Sequence, residues 1–206
     1  MIIKRTANAG VLLCMDNVSV LLDGVCRELP PYLGTPDSVR EELEKNFPDV
    51  VAFTHRHEDH FDESYAENYE TLALRSVIGP EFSILREVNN LKIFSVPTRH
   101  IGKTDIQHTS FVIEGSECVW FMGDASPLEL KNFSEFHKPD VIIVPYAYAI
   151  SASAWKSTKN TGAKTVVLLH LPLRESDPYG LWQAVEEVTQ NDVCLKILQI
   201  GQEIIV

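Results

Sequence analysis

Apolar and polar positions alternate along this chain in short blocks separated by turn residues. "VLLCMDNVSVLLDG", residues 11–24, reads as two apolar strands around a turn at residues 15–17, a hairpin. A loop rich in Pro30, Pro31, Gly34 and Pro36 follows. Thr35 then has the chemistry of a helix cap, with Pro36 at the first helical position. Val39, Leu43 and Phe47 recur every fourth residue and give that helix one apolar stripe. "DVVAFT" is a short buried strand that delivers the chain to His55.

Asp62 starts a second helix that runs to about Leu72. Strands are expected over residues 76–78, 91–96, 109–114 and 118–122. Ser126-Pro127-Leu128-Glu129 has the form of a capping box that opens a helix. "DVIIVP" reads as a strand, and "SASAWKSTKN" as a helix stopped near Gly162. "TVVLLH" is a strand ending on a histidine. Residues 178–190 form a helix with Leu181, Val185 and Val188 on one face, and two short strands close the chain. Strands dominate early and alternate with helices later, which implies sheets covered by helices.

Composition narrows the picture. A chain of 206 residues with 45% hydrophobic content suits one domain spanning 1–206, or two halves around a shared core. The net charge of −11 disfavours nucleic acid and acidic membrane surfaces as partners. None of the four cysteines, Cys14, Cys26, Cys118 and Cys194, forms a CxxC pair, so reduced thiols of a cytoplasmic protein are expected. The N-terminal residues lack a signal-peptide apolar core. The longest uncharged run, residues 141–155, falls short of the roughly 20 residues that span a bilayer.

One stretch changes the picture. "FTHRHEDHFD", residues 53–62, crowds His55, His57, Asp59 and His60 together directly after an apolar strand. In an extended loop, residues two apart point the same way, so His55 and His57 can grip one ion. Asp59 and His60 face a second position one turn further on. Imidazole and carboxylate suit zinc, and also manganese or iron. These groups are too few for two ions, and the chain supplies more, each at a strand end: His100 after "IFSVPTR", Asp124 after "VWFMG" and His170 after "TVVLL". The bland readings are a solvated polar loop, a turn and cap at "GDAS", and a core histidine at position 170. His108, eight residues after His100, competes with it, and His100 is favoured because it closes a strand.

The HxHxDH string, followed by His, Asp and His at these intervals, resembles the metallo-β-lactamase superfamily. The match extends from "VSVLLDG" to "LLHLPL". The resemblance implies an α/β fold, a four-layer αβ/βα sandwich with the metal site at one edge between two sheets. It implies that His55, His57 and His100 hold a first metal, that Asp59, His60 and His170 hold a second, and that Asp124 bridges them. Asp23 matches an acidic position that braces the metal loop from outside. "VPTRH…HTSFVIEG…FMGDAS" is similar to the branch that includes ascorbate-6-phosphate lactonase. The tRNA 3′-processing endonucleases share the motif but carry a protruding arm, for which this chain has no long insertion.

The expected function is therefore a metal-dependent hydrolase. Two divalent ions, Zn2+ or alternatively Mn2+ or Fe2+, would activate water against a lactone, ester, amide or phosphoester of a small molecule, with Asp59 accepting or orienting the proton. The alternatives are a nucleotide or nucleic-acid phosphodiesterase, a metal-binding sensor without turnover, and a diiron redox protein, which would need a flavin partner. His108, Tyr146, Tyr148, Lys103, Lys156 and Arg174 are candidate substrate contacts, each also readable as core or surface. Arg56 and Glu58 alternate with the ligands and are expected to point away from the metals, and His137 is expected on the surface.

Overall fold

Period-two alternation sorts the strand side chains onto two faces, and the two faces bury against different partners. The structure, a computed structural model, describes residues 1–81, 85–102, 105–190 and 192–206. Lys103, proposed from sequence as a substrate contact, lies outside them.

In chain order the early elements are β1 (Ile2–Arg5), β2 (Val11–Met15), β3 (Val18–Leu22), α1 (Asp37–Lys45), β4 (Val50–Ala52) and α2 (Glu63–Leu72). The middle of the chain forms β5 (Leu85–Val88), β6 (Leu91–Arg99), β7 (Gln107–Glu114), β8 (Cys118–Phe121) and β9 (Val141–Pro145). Then come α3 (Ala152–Asn160), β10 (Thr165–Leu169), α4 (Leu181–Thr189), β11 (Leu195–Ile197) and β12 (Glu203–Ile205). One sheet runs β12-β1-β2-β3-β4 and the other β11-β10-β9-β8-β7-β6-β5.

The sheets pack face to face. Ile3, Val11, Leu13 and Val20 of the first meet Phe111, Val119, Phe121, Ile143 and Val167 of the second in one buried cluster. Each such side chain contributes roughly 1.5–3 kcal/mol on burial. The residues between them point outward under helices. Ile142, Val144, Val166 and Leu168 pack with Trp155 of α3 and Leu181 and Val185 of α4. Leu21, Val51 and Phe53 pack with Val39 and Leu43 of α1 and Tyr65 and Tyr69 of α2. Helix, sheet, sheet, helix is the four-layer sandwich that the motif implied.

Several local expectations change. Pro36 is the cap residue of α1 rather than its first helical residue. The Thr35 hydroxyl instead accepts from the Cys26 amide at 3.0 Å, tying the loop to the end of the first hairpin. Residues 76–78 make a single bridge, Ala52 to Ile78, and not a strand. Ser126 accepts from the Leu128 amide, and Glu129 binds Asn132, so the box opens only a 3-10 turn, Pro127–Phe133. β1 and β5 are additional strands. All four cysteines are free, with Cys26 and Cys118 buried and the other two half-buried. No helix among the described residues is long and apolar enough to cross a membrane.

Candidate metal centre

The site sits where strands end. Three of these ends turn through left-handed backbone: Asp23 after β3 (φ 46), Gly123 after β8 (φ 54) and His170 after β10 (φ 63). A histidine or aspartate with positive φ is uncommon and marks a conformation that the surroundings enforce. The His170 amide donates to the Asn8 carbonyl at 3.1 Å. That carbonyl also accepts from the buried guanidinium of Arg5, which reaches the carbonyls of Ala7 and Leu198 as well. Burial lowers Arg5 to about 10, so it stays charged at neutral pH. Neither Arg5 nor Asn8 is flagged by any local pattern.

The motif loop is held at both ends. Asp62 caps α2 through the Tyr65 amide at 2.9 Å and pairs with Arg40 of α1 at 2.7 Å. At the other end, Asp23 is fully buried and accepts from the Thr54 amide at 2.7 Å and the Thr54 hydroxyl at 2.6 Å. Its Oδ2 also meets His60 Nδ1 at 2.8 Å. These contacts dictate ring orientation. His60 donates from Nδ1, which leaves Nε2 facing inward. The Thr54 hydroxyl gives its proton to Asp23, so it accepts from His55 Nδ1 at 3.0 Å, and His55 Nε2 also faces inward. His100 donates from Nδ1 to the Ile101 carbonyl at 2.7 Å, with the same result.

Donor atoms therefore converge. Single ligand atoms of His55, His57 and His100 lie within 4.8 Å of one another, as do those of Asp59, His60 and His170. Asp124 Oδ2 stands between the groups, 3.5 Å from His60 Nε2 and 3.6 Å from both His100 Nε2 and His170 Nε2. Ligands about 2.0–2.2 Å from a tetrahedral ion are roughly 3.3–3.6 Å apart, which is this spacing. His55 Nε2 and His57 Nδ1 lie 2.9 Å apart. His60 Nε2, His100 Nε2 and both ring nitrogens of His170 are buried without hydrogen-bond partners, although His170 Nε2 is 3.1 Å from Asp59 Oδ2. Buried ring nitrogens without partners are costly, and a divalent cation satisfies one nitrogen of each neutral ring, the one that carries the lone pair. The donor set thus fits the ions that the motif implied. Asp23 and Thr54 hold the His55 and His60 rings from outside the set, while Asp62 caps the helix that follows the loop.

Electrostatics agree with that fit. Burial keeps the His55 imidazole neutral, the form a ligand needs. Burial opposes a charge on His60 too, but Asp124 and Asp23 raise it well above the usual imidazole range, so a bound cation would take the place of its second proton. Burial opposes ionisation of Asp124, but His170 and His60 hold it well below the usual carboxylate range. Burial likewise opposes ionisation of Asp59, and His170 and His60 lower it.

The remaining candidates separate. His108 is buried, with Nδ1 against Thr98 at 2.8 Å and Nε2 accepting from the Asp124 amide at 3.0 Å. Both nitrogens are used, so His108 neither replaces His100 at the centre nor faces substrate. Tyr146 lies beside the centre, its ring 5.9 Å from that of His170. Tyr148 is buried and donates to the Ser126 carbonyl at 3.1 Å, a packing role. Arg174 binds Glu186 at 2.6 Å and stacks on Trp182, and Lys156 sits on the exposed face of α3. Neither is brought to the centre. Arg56 binds Glu81 at 2.6 Å and covers Phe61, and His137 is exposed beside Glu114, as expected of both. Tyr32 escaped sequence reading: its ring meets His170 edge-on at 4.4 Å. Burial, then the neighbouring Tyr146 hydroxyl, raises its ionisation far above the usual phenol range.

A metal-dependent hydrolase of Methanopyrus kandleri is 25% identical over 231 residues, covering 91% of this chain and 92% of that protein. A solved structure from Veillonella parvula, described as a possible metal-dependent hydrolase, superimposes with a TM-score of 0.73 at 15% identity, covering 99% of this chain and 98% of that one. A metallo hydrolase of Ignicoccus hospitalis gives 0.67 at 21% identity, covering 98% and 97%. These two structural likenesses show the fold. Residues 4–168 match the family model of the beta-lactamase superfamily domain. With that match over most of its length, the chain belongs to the beta-lactamase superfamily.

Proposed function

We propose that this chain is a metal-dependent hydrolase with a dinuclear centre that cleaves a lactone, ester, amide or phosphoester bond of a small molecule. The observation that carries the reading is the position of Asp124 Oδ2, nearly equidistant from His60, His100 and His170. One carboxylate oxygen so placed suits a bridge between a His55–His57–His100 ion and an Asp59–His60–His170 ion. Zinc is the first candidate for both ions, with manganese or iron as alternatives. The hydrolase named in Methanopyrus kandleri supports the same class of chemistry.

Bound divalent ions would supply an activated water at neutral pH and a Lewis acid for the oxyanion that develops. The chain's own residues do the rest. Asp59, held ionised, accepts the proton of the attacking water or orients it. Burial of His55, His60 and His170 keeps bulk water from the inner side, while Asp124 and His57 are partly exposed and leave an approach for a substrate. Tyr32 and Tyr146 flank His170 with their hydroxyls joined, and the O–H left over from that bond is a candidate donor to the carbonyl or phosphoryl oxygen. The net charge of −11 favours a small substrate over a nucleic acid.

The test is turnover of a lactone, an aryl ester, a thioester and bis-nitrophenyl phosphate by metal-loaded protein, with metal content measured alongside. Wild type is expected to hydrolyse at least one of these substrates. Asp59→Asn, which removes the base and weakens a proposed ligand together, is expected to lose at least about 10²–10⁴-fold in kcat even with saturating metal. Unchanged turnover after complete chelation, or in Asp59→Asn, would refute the proposal.

A further inference from the structure

We infer that His108 is a positioning residue for this centre: fixed with its proton on Nδ1, it grips the main chain at Asp124 and so sets where that carboxylate stands. The inference rests on the proposed role of Asp124 as a ligand. It goes beyond that reading by giving the buried second histidine of the β6–β7 hairpin a defined protonation and task.

The proton arrangement follows from two ends that allow no choice. At one end is a backbone amide. The Asp124 N–H can only donate, so His108 Nε2, 3.0 Å away, accepts and carries no proton. At the other end is a backbone carbonyl. Met122 O can only accept, so the Ser110 hydroxyl, 2.9 Å away, gives its proton to it. Ser110 Oγ must then accept from the Thr98 hydroxyl at 3.0 Å. With that proton committed, Thr98 Oγ1 accepts from His108 Nδ1 at 2.8 Å. Worked from either end, the chain gives the same neutral imidazole with hydrogen on Nδ1. Thr98, His108, Ser110 and Met122 are all buried, so water does not compete for these bonds.

Both ends of this chain of bonds land on one short segment, Met122 and Asp124, while its middle stands on β6 and β7. The register Thr98 to His108 sets the two side chains opposite one another. The network therefore clamps the turn that carries Asp124 against the hairpin behind it. Two backbone bonds pin the same turn from outside, Ile101 N to Asp124 O at 2.8 Å and Ser126 N to Arg99 O at 2.8 Å. No second proton fits on His108, because a proton on Nε2 would face the Asp124 N–H.

The tautomer is read directly from holoprotein labelled with 15N in histidine, using two-bond proton–nitrogen correlations, with His108 assigned by the signals missing in His108→Gln. The expected result is a neutral ring protonated at Nδ1. A proton on Nε2 would overturn the inference, and this readout needs neither activity nor a variant that folds poorly. The positioning role is read from zinc affinity by chelator competition. A Gln amide oxygen can stand near the former Nε2 and accept from Asp124, whereas Asn and Ala cannot reach. His108→Ala and His108→Asn are expected to lose about 10–100-fold in affinity, and His108→Gln to remain within a few-fold of wild type. With Co2+ in place of zinc, the visible absorption should shift in the Ala variant and match wild type in the Gln variant. Gln no better than Ala, or Ala equal to wild type, would overturn the role. Wild-type protein that binds no metal at all would instead refute the proposed centre and leave the tautomer result standing.

Discussion

The Asp23 carboxylate meets the Nδ1 of His60 at 2.8 Å with both side chains completely buried. The same carboxylate holds Thr54, and Thr54 holds His55. One acid outside the donor set thus orients two rings within it. Asp23→Asn substitutes a group that can no longer accept all three bonds. Zinc affinity is expected to fall about 10–100-fold, measured by competition with a chromophoric chelator. Unchanged affinity would separate Asp23 from the centre.

Gly123 turns with φ 54, and a Cβ there would stand 2.5 Å from the Thr54 side chain. Gly123→Ala therefore strains the backbone and pushes on the residue that links Asp23 to His55. A loss of roughly 1–3 kcal/mol in stability is expected from denaturant unfolding. Weaker zinc binding should accompany it, because the displaced atoms belong to the orienting layer.

Arg5 donates to three carbonyls: Ala7, Leu198 and Asn8. Arg5→Met keeps the apolar stem and removes every bond. Bonds from charged donors contribute roughly 1.5–3 kcal/mol each, and one relaxed cluster rarely loses them all. A net destabilisation of about 2–4 kcal/mol is expected in urea unfolding. The Asn8 carbonyl keeps only its His170 partner in that variant, so metal affinity should fall as well.

Asp140 gives a pH prediction away from the metal donors. Its carboxylate accepts from Lys164 at 2.7 Å and from the Cys118 amide at 3.0 Å, and the Lys164 bond is the largest cause of its lowered pKa. The folded value lies below the unfolded one, so the stabilisation is present above about pH 4 and vanishes as pH falls through the folded pKa. Asp140→Asn should cost about 1 kcal/mol at pH 7, discounted for partial exposure, with the difference from wild type shrinking toward pH 3. A difference that stayed constant with pH would contradict the assignment.

Much of the architecture was legible because it is written in local periodicity. The short, nearly continuous apolar runs of β2, β3, β9 and β10 announce buried strands, and Val39–Leu43 and Leu181–Val185 announce helices with one buried stripe. The elements that escaped have weak local signals. β1 is four residues ending in Lys4 and Arg5, and β5 lies at a sheet edge, half exposed. Residues 76–78 look like a strand but meet β4 at a single bridge, because extended backbone becomes a strand only where a neighbour continues the pairing.

The proposed donors stood out in the chain as His55, His57, Asp59, His60, His100, Asp124 and His170, since each closes or follows an apolar run. Sequence favoured His100 over His108 because His100 closes a strand, while His108 stands at the entrance of the next one and could still have lined the pocket. The register that sets His108 opposite Thr98 turns its ring into the hydrogen-bonded interior and leaves His100 with a free nitrogen. Tyr32 and Arg5 likewise act on His170 from more than a hundred residues away in sequence. Periodicity and residue chemistry are properties of neighbouring residues, so the linear chain carries the layers and the inventory of possible ligands. The direction of each lone pair and proton depends on partners brought near by sheet register and strand-end turns, and those exist only once the chain has folded.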